Sequence, residues 1–180
     1  MRDLFHLIPN ALNDSEIAEI LRKAEDVPAQ DGTIFSTQDN ASSIRKSSIK
    51  WLSDEALKQR LWSFVCTANQ QAFDVDVACE ADLQFTSYYG DHAGHYDWHQ
   101  DVHFASQEAQ DRKISVTIQL SAQADYSGGD FLFEDVQSSA NFKAKGTALL
   151  FPSYLRHKVT PVTSGVRHAL VAWFFGPRWR

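Results

Sequence analysis

The chain has 180 residues, of which 43 % are hydrophobic and 22 % charged, an ordinary globular balance that argues against wholesale disorder. Its longest apolar run, Ala169–Phe175, is seven residues, far short of the roughly 20 a membrane-spanning helix needs. The formal net charge of −6 argues against a nucleic-acid partner, which a basic footprint would accompany.

That charge is uneven. Residues 1–73 carry 8 Lys/Arg against 10 Asp/Glu, residues 74–135 carry 2 against 13, and residues 136–180 carry 7 against 0. An acidic middle next to a basic end suits a cation site beside an anion site, although linear blocks need not be spatial patches. Cys66 and Cys79 form neither a CxxC pair nor a disulfide framework. Together with an N-terminal segment that lacks the pattern of a signal peptide, this predicts a soluble, cytoplasmic protein.

Asn13 with Glu16 three residues on reads as a capping box, with Leu12 and Ile17 as its hydrophobic staple. Ile17, Ile20, Leu21 and Ala24 repeat at helical spacing up to Pro28. A second helix is predicted after Ser53, with Leu57, Leu61, Val65 and Ala68 on one face. Between them, Gln30–Lys50 is polar and reads as a mobile loop or irregular edge strands. Within it, Asp31–Lys50 is a candidate lid over a site.

From about residue 82 the period changes to two. Predicted strands are Leu83–Tyr89, Tyr96–Val102, Ile114–Leu120, Asp130–Glu134, Thr147–Phe151, His157–Val162 and Arg167–Phe175, with turn signals at Ser127-Gly128-Gly129, Lys145-Gly146 and Ser164-Gly165. Many short strands of this kind suggest an antiparallel sandwich or jelly roll, with the helices on one outer sheet face. The chain reads as one domain: residues 1–80 as helical support and loop, residues 81–180 as the β core.

The chemistry starts at Trp98-His99-Gln100-Asp101. On a strand, His99 and Asp101 project to one side. His157 offers a third ligand, and two histidines with one carboxylate are the facial triad of non-haem Fe(II) oxygenases. Arg167 follows ten residues after His157, a spacing that a strand–turn–strand hairpin through Pro161–Gly165 would bring into the same cavity. Arginine grips carboxylates with paired hydrogen bonds, so this pattern suggests a carboxylate-bearing co-substrate.

The segment from Tyr89 through Gly94, Tyr96 and His99 to Asp101 resembles the prolyl 4-hydroxylase group of the Fe(II)/2-oxoglutarate dioxygenases. So do Ser127-Gly128-Gly129-Asp130-Phe131-Leu132-Phe133, preceded by Tyr126, and the run from His157 through Val159, Pro161, Val162 and Gly165 to Arg167, followed by Trp173. The likeness covers residues 83–175 well. It implies a double-stranded β-helix (jelly-roll) core, an α+β but mainly β protein with N-terminal helices packed on one sheet. His99, Asp101 and His157 would ligate Fe(II), and Arg167 and Tyr89 would hold the distal carboxylate of 2-oxoglutarate. Thr117 or Gln119 would stand where some relatives carry a second tyrosine against the co-substrate, and Trp173 would wall the pocket. The implied reaction takes 2-oxoglutarate and O2, releases succinate and CO2, and hydroxylates an unactivated carbon, with ascorbate as an optional auxiliary reductant. A prolyl or similar side chain of a peptide or protein is the expected substrate. A free amino acid or small metabolite is the nearest alternative, and a silent binding module the rival from another class. Val102 and Trp173 stand where nucleobase-repair relatives carry asparagine and a second arginine, so nucleic acid is not expected as a substrate.

Simpler readings exist for several residues. His92, His95 and His103 read as surface or loop histidines, and His6 and His168 as structural. Trp98 reads as sheet packing. Asp97 is in phase with His99 and is a candidate to orient an imidazole.

Overall fold

The computed structural model describes residues 4–32, 41–136 and 140–180. In chain order the elements are β1 (His6–Ile8), α1 (Asp14–Glu25), β2 (Gln30–Asp31), α2 (Ala41–Ile44), β3 (Arg45–Lys46), β4 (Ser48–Leu52) and α3 (Glu55–Ala68). There follow β5 (Ala81–Tyr89), β6 (His95–His99), β7 (Gln110–Gln119), β8 (Tyr126–Gly128), β9 (Phe131–Phe133), β10 (Ala148–Pro152), β11 (His157–Val159) and β12 (Val162–Pro177).

The strands form two antiparallel sheets. The larger runs β1-β10-β7-β12-β5-β4-β2, with β8 paired to β12, and the smaller runs β3-β6-β11-β9. Two facing sheets with helices on one outer side are the predicted jelly roll. The two-residue period of β12 explains the layering. Leu170, Ala172 and Phe174 join the cluster that also holds Ile17, Ile20, Leu61 and Val65 from the helices. Arg167, Ala169, Val171 and Trp173, one residue out of phase, line the space between the sheets. Each fully buried Ile, Leu or Val side chain in the outer cluster contributes about 1.5–3 kcal/mol relative to exposure.

The first helix begins as expected. The Asn13 side chain accepts the Glu16 N–H at 3.0 Å, and the Glu16 carboxylate accepts the Asn13 N–H at 2.8 Å. Leu12 and Ile17 are both buried. The cap of α3 is Asp54, whose carboxylate accepts the Leu57 N–H at 3.0 Å.

One expectation changes, and in its described residues Gln30–Lys50 follows the edge-strand alternative. β12 starts at Val162, so Thr163, Ser164 and Gly165 are strand residues, and this first stretch pairs with β8. His157 and Arg167 therefore do not face each other along a hairpin. They belong to opposite sheets and meet across the gap between them. The polar stretch Gln30–Lys50 contains β2, α2, β3 and the start of β4, and β3 extends the smaller sheet beside β6. Within the expected lid, residues 33–40 lie outside the described residues.

Candidate active site

The smaller sheet carries both histidines. His99 ends β6, His157 opens β11, and the two pair directly in the antiparallel ladder. Their ring centroids are 4.2 Å apart. Each ring is oriented by the backbone two residues earlier. Nδ1–H of His99 donates to the Asp97 carbonyl at 2.7 Å, and Nδ1–H of His157 to the Leu155 carbonyl at 2.8 Å. A carbonyl only accepts, so both protons sit on Nδ1 and both Nε2 lone pairs are left for a metal. It is thus the main-chain oxygen of Asp97 that orients His99. The Asp97 carboxylate accepts its neighbour's Trp98 N–H at 2.8 Å.

Asp101 lies two residues past the end of β6, not on the strand. Its N–H donates to the Ser153 carbonyl at 2.9 Å, which pins it to the turn after β10. The Ser115 hydroxyl donates to Asp101 Oδ2 at 2.7 Å, and Ser115 Oγ is 2.9 Å from Ser153 Oγ. Asp101 Oδ1 is 3.6 Å from His99 Nε2, and Oδ2 is 3.6 Å from His157 Nε2. All three ligand atoms lie within 4.8 Å of one another, the one such cluster among the described residues.

The protonation states match this arrangement. Burial, helped by neighbouring His157, pushes the His99 imidazolium pKa down to about 3. Burial alone would raise Asp101. His157, His99 and the Ser115 hydroxyl outweigh it and hold the carboxyl below its usual range. Neutral imidazole and ionised carboxylate are the forms that bind a divalent metal, and two histidines with one carboxylate are an Fe(II) donor set.

A narrow cavity of about 40 Å³ opens beside the cluster, its wall including Arg45, Gln84, Tyr88, Thr117, Arg167 and Trp173. Arg167 is 3 % exposed and its Nε–H has no partner among the described residues. A buried, unsatisfied guanidinium N–H costs on the order of 1–3 kcal/mol or more, so its natural complement is an anion entering the cavity. Gly129 leaves room for it. A Cβ there would lie 2.9 Å from Arg167 Cδ and 2.9 Å from Val162 Cγ2, and its φ of +61° disfavours any other residue.

The structure corrects one predicted residue and relocates another. Tyr89 is 40 % exposed and lies outside the cavity wall, on the opposite face of β5. Its neighbour Tyr88 pairs with Arg167 and lies under the guanidinium, 5.4 Å from ring centroid to Cζ. A 3-10 turn at Gly90–His92, followed by left-handed Ala93, separates β5 from β6, and the register of β5 with β12 turns Tyr88 toward the cavity and Tyr89 away from it. Gln119 shares the inward face with Thr117 but lies beyond the cavity wall, its amide donating to the Ser121 carbonyl at 3.3 Å. Thr117 and Trp173 do line the cavity. His92, His95 and His103 stay out of the ligand cluster. His168 points away from Arg167, its Nδ1 2.9 Å from Ser87 Oγ and its ring stacked on Phe85. Trp98 packs under the Lys158 ammonium at 4.5 Å.

Four contributors were not anticipated. Tyr88 and Ser115 were detectable in principle, Ser115 by its parity with Thr117. Arg45 and Gln84 carried no signal. Arg45 donates to Gln84 Oε1 at 2.8 Å and covers the Tyr96 ring at 4.5 Å. Tyr96 in turn stacks on His99 at 3.4 Å.

The 2OG-Fe(II) oxygenase superfamily model matches residues 83–175, a span that holds all three ligand residues and Arg167. The chain belongs to this superfamily. A PKHD-type hydroxylase of Shewanella sp. (strain MR-7) is 27 % identical over 172 residues, covering 92 % of this chain and 75 % of that protein. A PKHD-type hydroxylase of Idiomarina loihiensis is 38 % identical over 61 residues, only 33 % of this chain and 28 % of that relative. Among solved structures, the viral collagen prolyl hydroxylase of Paramecium bursaria Chlorella virus-1 superposes with a TM-score of 0.71 at 17 % identity, covering 97 % of each chain. A prolyl hydroxylase of Trichoplax adhaerens, in complex with a peptide fragment of the hypoxia inducible factor oxygen degradation domain, gives a TM-score of 0.74 at 20 % identity over 96 % of this chain and 84 % of that one. Both likenesses establish the jelly-roll fold of the oxygenase.

The residues present fit the groups that the superfamily name implies. His99, Asp101 and His157 supply three donors on one side of an Fe(II) ion. The unpartnered Arg167 Nε–H fits the far carboxylate of a dicarboxylic co-substrate.

Proposed function

We propose that this oxygenase is an Fe(II)- and 2-oxoglutarate-dependent dioxygenase that hydroxylates an unactivated carbon, most naturally a prolyl or similar side chain in a peptide. The observation that carries this reading is the joining in one cavity of the His99–Asp101–His157 cluster and the buried Arg167, whose Nε–H has no partner among the described residues. The peptide substrate is supported by the prolyl hydroxylases among proteins of the same fold, one of them holding a peptide.

When bound, iron and 2-oxoglutarate supply the oxidising chemistry, with succinate and CO2 as products. The chain's own groups bind and orient. The Asp97 and Leu155 carbonyls hold the two imidazoles with Nε2 inward, and Ser115 fixes the carboxylate face of Asp101. Arg167 anchors the co-substrate, with Tyr88 beneath it and Thr117 beside it on the cavity wall. Phe131 and Phe151, 5.2 and 4.7 Å from the His157 ring, dry the metal side and limit side reactions with water. Trp173 closes the wall, covered by the Arg112 guanidinium at 4.0 Å. A cytoplasmic setting belongs to the same proposal and is supported by the two free thiols, Cys66 and Cys79.

The test is aerobic turnover of 1-14C-labelled 2-oxoglutarate by the iron-loaded protein, with ascorbate keeping the iron ferrous, against a panel of proline-containing peptides. The proposal expects labelled CO2 in step with succinate, and a gain of 16 Da on at least one peptide. Iron-loaded protein that releases neither with any peptide or free amino acid would overturn it.

A further inference from the structure

One turn frames the whole metal cluster. Between β10 and β11 the chain runs Ser153-Tyr154-Leu155, and each of these carbonyls accepts a hydrogen bond from a ligand segment. The Ser153 carbonyl takes the Asp101 N–H at 2.9 Å, and the Leu155 carbonyl takes His157 Nδ1–H at 2.8 Å. The Tyr154 carbonyl takes the side-chain amide of Gln100, the residue between His99 and Asp101, at 2.6 Å. Consecutive carbonyls do not move independently, because they are carried on joined, planar peptide units. A tilt of this turn therefore shifts Asp101 and the His157 ring together. It also pulls on His99, through Gln100 and through the ladder partner His157.

What sets the tilt comes from outside the turn. Leu155 packs against the inner aromatic cluster, whereas Tyr154 is 37 % exposed. Its ring meets that of Trp179, two residues past the end of β12, in a T-shaped contact with centroids 5.0 Å apart.

Trp179 is itself fixed by three successive residues of β7. Its N–H donates to the Asp111 carboxylate at 2.8 Å, and its indole N–H to the Arg112 carbonyl at 3.0 Å. The Lys113 ammonium lies over its ring at 3.6 Å and donates to the Pro177 carbonyl at 3.0 Å. Lys113 also closes the loop of contacts, since its own carbonyl takes the Ser153 N–H at 3.0 Å. Asp111 and Lys113 are both buried. Burying charge is costly unless hydrogen bonds match it. Here the carboxylate and the ammonium both bond to the segment that carries Trp179.

We propose that Trp179 is a positioning residue of the metal centre. It touches no ligand. It holds Tyr154, and so sets the tilt of the turn to which Asp101 and His157 are bonded. The proposal goes beyond the hydroxylase reading, because it concerns the affinity and geometry of the metal site and holds for any substrate.

The test compares the wild type with Trp179→Ala, Tyr154→Ala, their double variant and Tyr154→Phe. Fe(II) affinity is read anaerobically by chelator competition. The d–d absorption of the Co(II)-loaded proteins reports ligand geometry, which a general loss of stability does not move. Trp179→Ala and Tyr154→Ala should each weaken Fe(II) about tenfold, the low end of the loss when a ligand's supporting partner is removed. Both should change the Co(II) band in the same way. Because the two break one contact, the double variant should lose little more than either alone. Tyr154→Phe keeps the ring and should bind as the wild type does. Tyr154 lies at the surface, so its variants carry the test if Trp179→Ala does not fold. Ile20→Val, in the helix-side core, is the destabilised control and should leave affinity and band unchanged. Wild-type affinity with an unchanged band in Tyr154→Ala or in folded Trp179→Ala would overturn the proposal. So would losses that add in the double variant, or an equal loss in Ile20→Val. A wild type that binds no divalent metal would overturn it together with the triad, whereas normal binding that ignores both alanine variants would overturn the positioning role alone.

Discussion

His157 stands directly opposite His99 in the ladder of the smaller sheet, ring centroids 4.2 Å apart, while Arg167 reaches the same cavity from the larger sheet. The site is therefore a contact between the two layers of the jelly roll. The two histidines and the co-substrate anchor sit on separate sheets, and Asp101 is held from the larger one by Ser115 of β7 and the turn after β10.

Ser115 reaches the metal ligands from β7 of the larger sheet. Its hydroxyl donates to Asp101 at 2.7 Å and helps keep that carboxylate ionised. Ser115→Ala should leave the fold intact and weaken Fe(II) about 10–100-fold, the usual cost of losing a partner that orients a ligand. A chelator-competition titration measures this. Unchanged iron affinity would show that the backbone alone positions Asp101.

Tyr88 and Tyr89 separate cleanly. Tyr88 lies under Arg167 and Tyr89 is exposed on the other face. Tyr88→Ala should raise the KM for 2-oxoglutarate by about tenfold, because it removes the ring that supports the Arg167 guanidinium. Tyr89→Phe should leave it unchanged. The reverse order of effects would restore Tyr89 as the residue that holds the co-substrate carboxylate.

Gly129 tests the anchor through shape. A methyl group there meets Arg167 Cδ and Val162 Cγ2, both at 2.9 Å, on backbone of positive φ. Gly129→Ala should cost about 1–3 kcal/mol of stability. It should weaken 2-oxoglutarate binding and spare Fe(II) affinity. Thermal melts and separate iron and co-substrate titrations distinguish the two losses.

Acid should destabilise the metal-free protein. In the fold His99 stays neutral down to about pH 3, while the unfolded imidazole takes a proton below its ordinary value of 6.5. Between these values the unfolded chain binds the extra proton, so stability falls as pH drops through that window. Asp101 adds to the loss at lower pH. Its depressed carboxyl stabilises the fold above the ordinary value of 3.8, and this contribution vanishes as pH falls through the folded value. The Tm of the metal-free protein should therefore drop between about pH 6.5 and 4, and His99→Gln should flatten the drop. A flat profile in the wild type would contradict a buried neutral imidazole.

Much of this was legible in the sequence because local patterns encode it. The capping box at Asn13 and Glu16 and the strand periods of β5, β7 and β12 announced helices first and a β core after. His99, Asp101, His157, Arg167 and the glycine pair before Phe131 were visible as a spaced pattern. What failed was what depends on pairing across the chain. The face of Tyr88 is fixed by its register with Arg167, and Arg45 reaches the site because β3 pairs with β6. The route from His157 to Arg167 was misread because Ser164-Gly165 signals a turn, while pairing with β8 draws that stretch into a strand. The packing of Trp179 on Tyr154 likewise needs the fold, since the two lie far apart in the chain.

The most direct measurement is an anaerobic titration of the metal-free protein with Fe(II) and then 2-oxoglutarate, following the visible charge-transfer band of the chelate. The account predicts a band in the wild type with one equivalent of each. The band should weaken at fixed co-substrate in Arg167→Ala, which retains iron, and be absent in His99→Ala. A folded, iron-loaded wild type that gives no band, or an Arg167→Ala variant that binds 2-oxoglutarate as tightly as the wild type, would contradict it.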